Sequence, residues 1–144
     1  MIEQDTIRLL RECDAGIKMG VSSIDEVLEY VHDDTFRRTL TDCKKEHEKL
    51  KEEIQILLDK YHDEGKEPHP VAKGMSWMKT NVKLIMNESD KTIADLITDG
   101  CNMGVKSLNK YLNQYEAADE TSKDITKRLV RLEEKLTQDI RRFL

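Results

Sequence analysis

The stretch GIKMGVSSIDEVL at residues 16–28 returns as GCNMGVKSLNKYL at residues 100–112. Aligned at a separation of 84, the two share six of thirteen residues: two Gly, Met, Val, Ser and Leu. Any two amphipathic helices share a polarity pattern, but a common set of glycines, a methionine and a serine goes beyond that. A second, weaker match sets EHEKLKEEI at 46–54 on LEEKLTQDI at 132–140, at a separation of 86. The chain therefore reads as two copies of one helical hairpin.

The surrounding apolar spacing supports helices throughout. Over 6–31, Leu9, Leu10, Cys13, Ile17, Val21, Ile24, Leu28 and Val31 fall on one stripe with the three- and four-residue steps of a buried helix face. HDDT at 32–35 offers capping side chains for a new helix and a tight, antiparallel connection. From 34 to 61, Phe36, Leu40, Cys43, His47, Leu50, Ile54, Leu57 and Tyr61 alternate steps of four and three, a heptad seam. DEGKEPHP at 63–70 ends that helix, because glycine suits a helix C-terminus and proline a helix start. Val71, Met75, Met78, Val82 and Ile85, with Trp77 at the edge, mark a short connecting helix. NESD at 87–90 reads as a further cap. Ile93, Ile97, Cys101, Val105, Leu108, Leu112 and Tyr115 then define a third long helix, EAADETS at 116–122 a turn, and Ile125, Leu129, Leu132, Leu136, Ile140 and Phe143 a fourth.

Two hairpins with one apolar face each bury those faces against one another, which makes an all-α, antiparallel four-helix bundle. The expected organisation is a single domain over 1–144, with one hairpin at about 4–62, a crossover at about 63–88 and the second hairpin at about 89–144. A connection of that length exceeds the few residues usual between bundle neighbours and suits a climb back along the bundle. One long crossover between two antiparallel hairpins is the ferritin-like arrangement.

Composition narrows the function classes. The net charge of −5, from 29 acidic and 24 basic side chains spread along the chain, disfavours nucleic acid as a partner. The N-terminal MIEQDTIRLLREC has early acids and no continuous apolar run, so it resembles neither a secretory signal nor a membrane anchor, and a cytoplasmic location without membrane association is expected. Cys13, Cys43 and Cys101 lie inside helical patterns and read as reduced thiols. No phosphate-binding glycine loop, zinc-finger spacing or nucleophile motif is present.

CDAG at 13–16, DGCNMG at 99–104, the DEGKEPHPVA crossover and Lys83 together resemble the ferritin-like superfamily, in particular a small bacterial four-helix-bundle family of unknown function related to stress-induced ferritin-like proteins. Di-metal sites of that superfamily use one Glu from each of two helices and Glu-x-x-His from each of the other two. The resemblance implies a glutamate after the glycine of the first and third helices, where this chain has Ile17 and Cys101. It implies Glu-x-x-His where this chain has Glu46 and Lys49, and again where it has Leu132 and Lys135. The expectation is a degenerate di-iron site, no cofactor, and a structural or interaction role, stress-associated and exercised as a homodimer.

One alternative keeps a metal. Cys43 and His47, at i and i+4, share the seam of the second helix, and with Cys101 or Cys13 and Glu46 or Glu133 they form an atypical candidate site for iron or zinc, the basis of an oxidoreductase reading. The separation of 86 makes Glu133 the counterpart of His47, so a buried His–Glu hydrogen bond is the competing reading. Glu29 with His32, and Asp59 with His62, also have the metal-ligand spacing. They belong to opposite ends of helices on the order of 40 Å long and read as solvated helix ends. Gly16, Gly20, Gly100 and Gly104 each cost up to about 1 kcal/mol against Ala inside a helix. Close approach of the first and third helices is the simplest compensation; room for a ligand or a small cavity is the other. Met75, Trp77, Met78 and Met86 either pack on the bundle or form a dimer face.

Overall fold

A computed structural model describes residues 2–67 and 89–144. Four long helices and a terminal 3₁₀ turn account for nearly all of them: α1 (Ile2–Leu28), α2 (Asp34–Lys60), α3 (Asp90–Gln114), α4 (Glu120–Asp139) and Arg141–Phe143. There is no strand among the described residues, as the apolar spacing led us to expect. The stretch read as a connecting helix, with Met75, Trp77, Met78 and Met86, lies outside them.

Each hairpin packs on itself, α1 on α2 and α3 on α4, and the hairpins meet through α2 with α4 and α1 with α3. Polar clasps fix which ends meet. At one end the Asp90 carboxylate, in the first turn of α3, accepts the backbone N–H groups of His32 and Asp33 at 2.8 Å each. At the other end Asp5, near the start of α1, accepts from the Ala117 N–H (3.1 Å) and Thr6 accepts from the Asp119 N–H (2.9 Å). Residues 84 apart, Thr6 and Asp90, thus hold residues 86 apart, Asp119 and Asp33. Those two aspartates are the N-caps of α4 and α2, accepting from Ser122 N–H and Phe36 N–H. The start of α3 consequently lies at the end of the bundle opposite the last turn of α2.

Several boundaries differ from the sequence reading for local reasons. The fourth helix starts at Glu120, three residues before the stretch read as a turn has ended, because Asp119 is its cap and Ser122 already lies buried in its first turn. It stops at Asp139, and Phe143 reaches the core from the 3₁₀ turn by stacking on Phe36, ring centroids 4.5 Å apart. In the NESD stretch Ser89 occupies the cap position without using its side chain, while Asp90 makes the cross-hairpin clasp. At the end of the α2 seam Leu58 is the fully buried residue, while Leu57 and Tyr61 pack against the core partly buried. A straight helix drifts about 20° per heptad from a strict seven-residue repeat, so after three heptads the next residue faces inward.

The end of α2 also departs from expectation. His62, at φ 54°, takes the left-handed position after the helix, where its N–H and that of Asp63 donate to the carbonyls of Asp59 and Leu58. Gly65, at φ 87°, does something else: a Cβ there would overlap the carboxylate of Asp14 on α1. Asp14 is fully buried, bonded to Lys18 Nζ (2.8 Å) and the Lys66 N–H (3.1 Å), so the chain leaving α2 is pinned to the side of α1.

The apolar core has two parts. One, toward the α1–α2 turn, includes Ile24, Val27, Phe36, Leu40, Ile93, Ile97 and Ile140; the other, toward the α3–α4 turn, includes Leu10, Ile17, Ile54, Leu58, Ile125 and Leu129. Full burial of each such side chain contributes roughly 1.5–3 kcal/mol. No described helix is long and apolar enough to cross a membrane.

The clasp at Asp90 gives a direct test. Asp90→Ala removes two hydrogen bonds to a charged acceptor and should lower stability by about 2 kcal/mol in urea denaturation, whereas Ser89→Ala should change it by less than about 0.5 kcal/mol.

Candidate functional site

Between the two apolar clusters stands one polar layer. His47, 13 residues from either end of α2, is 1% exposed. Its Nδ1 lies 2.8 Å from the carbonyl oxygen of Cys43, one turn back on the same helix. A carbonyl only accepts, so Nδ1 carries a proton and donates it. Nε2 then faces Oε1 of Glu133, on α4, at 2.8 Å. Burial pulls the imidazole pKa down, but the hydrogen bonds to Cys43 and Glu133 outweigh it and push His47 up to about 10. At neutral pH the arrangement is an imidazolium bonded to a carboxylate, a pair with no net charge.

The candidate residues divide cleanly. Cys43, His47, Cys101 and Glu133 come together in this layer; the Cys43 thiol is 3.5 Å from Nδ1 of His47. Glu46 does not join them. One residue before His47 it is rotated about 100° around the helix, and it lies exposed with its carboxylate 3.1 Å from Lys49. Cys13 is also elsewhere, its thiol 3.2 Å from the Thr126 hydroxyl in the other core cluster. Glu29 and His32 are exposed, as are Asp59 and His62. Among the described residues no group of three or more His, Cys, Asp or Glu side chains is placed to hold a metal ion.

The positions at which the sequence resemblance implies metal ligands do not carry the donors of a di-metal centre. Ile17 is fully buried and Cys101 nearly so. Lys49 and Lys135 point outward, and each is paired with an acid on its own helix. The Cys13 and Cys101 thiols are also poor nucleophiles: burial raises Cys13 to about 12 against the lowering effect of the Thr126 hydrogen bond, and burial followed by the Glu133 charge raises Cys101.

The glycines correct one expectation. A Cβ built on Gly20 would lie 3.1 Å from His47 Nε2, and one on Gly104 would lie 3.9 Å from the Glu133 carboxyl carbon. One on Gly16 would meet nothing within 4 Å. At these three positions no opposing backbone is within reach, so close packing of α1 against α3 is not their reason. Gly20 makes space for the imidazole. Gly16 and Gly104 border a cavity of about 470 Å³ between α1 and α3, with His47 and Glu133 in its wall. The sequence reading raised such a space only as its second choice, and the separation of 84 between glycines on facing helices was the signal for it.

Two measurements check this geometry. Because the folded pKa of His47 is raised, its stabilising contribution is complete below about pH 6.5 and is lost as pH rises toward 10. Urea unfolding should show a loss of a few kcal/mol across that window, and Glu133→Gln should flatten it. Gly16→Ala should gain about 0.5–1 kcal/mol from helix propensity. Gly20→Ala should lose stability, because the same gain is offset by displacement of the His47 ring. No family model, curated protein or solved structure matches this chain.

Proposed function

We propose that this chain is a non-catalytic, ferritin-like bundle of two duplicated hairpins joined by a long crossover, with a structural or interaction role as a cytoplasmic, stress-associated homodimer. The observation that carries the reading is the His47–Glu133 pair. Both imidazole nitrogens have protein partners, one on the Cys43 carbonyl and one on the Glu133 carboxylate. A metal would have to displace a hydrogen bond already made in a buried site.

Duplication is supported by the repeat and by the matching clasps, in which Thr6 and Asp90 hold the N-caps Asp119 and Asp33. The crossover is supported by the position of the α3 start, opposite the end of α2, with 29 residues between Lys60 and Asp90. At the ferritin-like ligand positions only Glu46 has a carboxylate, and it is exposed.

A second reading is favoured by one observation: Cys43, His47, Cys101 and Glu133 converge on one layer. Cys, His and Glu are suitable donors for zinc or iron; such a site would make this a metal-binding bundle, and with iron, which unlike zinc changes oxidation state, an oxidoreductase.

Elemental mass spectrometry separates the two. Protein purified without a histidine tag, then loaded anaerobically with Fe²⁺ or Zn²⁺ and desalted, should retain less than about 0.1 metal per chain on the first reading. Stoichiometric metal that disappears in Cys43→Ala and His47→Ala would establish the second reading and overturn the first.

A further inference from the structure

The residues that the two copies share are also the residues that face each other. Gly16 and Gly20 on α1 line the cavity together with their counterparts Gly100 and Gly104 on α3. So do Met19 with Met103, and Ser23 with Ser107. On each helix the four fall at i, i+3, i+4 and i+7, one stripe down one face. Since α1 and α3 run in opposite directions, the stripes oppose each other with approximate two-fold symmetry across about 470 Å³. That volume is within the range of small-molecule sites.

Helix packing explains only part of this stripe. Gly16 has open space where its side chain would be, although Ala there would be accommodated and would favour the helix. A second and independent observation is Ser23. It is 7% exposed and lines the cavity, yet no hydrogen bond joins its hydroxyl to another described residue. A hydroxyl on an otherwise buried residue that is left to the solvent of a cavity is a place for a ligand's polar group.

The lining also constrains the ligand's chemistry. Among the described residues its charged groups are neutralised in pairs, His47 with Glu133 in the wall and Lys66 with Glu12 at one end, which leaves no free charge among them to match an ion. The remaining surface is mostly carbon, flanked on both sides by methionine thioethers, which make favourable contacts with aromatic rings. We propose that the cavity between α1 and α3 binds a small, neutral, mainly aromatic molecule, held between Met19 and Met103 and hydrogen-bonded to Ser23. This goes beyond the non-catalytic reading above and rests on its intact His47–Glu133 pair, whereas Gly16→Leu probes the cavity without touching that pair.

The test uses N-phenyl-1-naphthylamine, a neutral aromatic amine whose fluorescence rises in apolar surroundings, titrated into the full chain. The expected result is saturable enhancement at one probe per chain. Gly16→Leu grows a side chain into the open space and should weaken binding at least ten-fold while circular dichroism and the melting temperature hold or rise. Ser23→Ala should weaken it two- to ten-fold. The anionic 8-anilino-1-naphthalenesulfonate should bind at least ten-fold more weakly than the neutral probe.

Unsaturable enhancement, or unchanged affinity in Gly16→Leu, would overturn the site. Equal affinity for the anionic probe would overturn the assignment of a neutral ligand. A wild-type chain that binds no probe because a second copy covers the groove, seen as a dimer in sedimentation that Met103→Glu separates, would overturn the proposal as well.

Discussion

A histidine and a glutamate in the middle of a helical bundle impose a strict condition on everything around them. Two buried charges are tolerated only if each is paired and hydrogen-bonded, since the cost of removing them from water otherwise exceeds their attraction. Here His47 meets the condition from both sides, through the Cys43 carbonyl on its own helix and Glu133 on α4. The helix register of α2 against α4 is thereby fixed to within a hydrogen-bond length. Gly20 follows from the same pair, because any side chain there would press on the imidazole. The division of the apolar core into two clusters follows as well.

The ends of the bundle serve the centre. Asp90 holds the α1–α2 turn, and Asp5 and Thr6 hold the α3–α4 turn, so neither hairpin can slide along the other. These contacts are partly solvated and individually modest. Their effect is geometric: they bring residues 86 apart in sequence, His47 and Glu133, face to face, and they set residues 84 apart on opposite sides of one cavity. A repeat in the sequence becomes an approximate two-fold relation in space, with the polar pair and the cavity beside each other near its centre.

The same layer explains why two readings of function begin from the same residues. Cys43, His47, Cys101 and Glu133 have the right donor atoms for a metal, but a histidine whose nitrogens are both engaged has no lone pair to offer without breaking a bond. The thiols are held protonated by burial in the cases of Cys13 and Cys101. Beside this layer, among the described residues, lies the cavity between α1 and α3, lined by glycines and serines of the repeat.

Much of this was legible in the sequence, because local rules act on local spacing. Three- and four-residue apolar steps named the four helices, and the Asp at 33 marked the start of α2, since a capping carboxylate satisfies backbone donors within a few residues. The repeat separations of 84 and 86 paired His47 with Glu133. Tertiary structure alone decided the rest. Whether Leu57 or Leu58 is the more deeply buried depends on helix drift accumulated over three heptads of seam, and whether Asp90 caps its own helix or the neighbouring turn depends on what is packed beside it. Glu46 and His47 are adjacent in sequence but lie about 100° apart around α2, so only the position of α4 determined which of them meets Glu133. For the glycines, sequence showed a cost of helix stability without a cause; across from Gly20 stands the imidazole, and across from Gly16 and Gly104 lies the cavity, neither of which their own helix specifies.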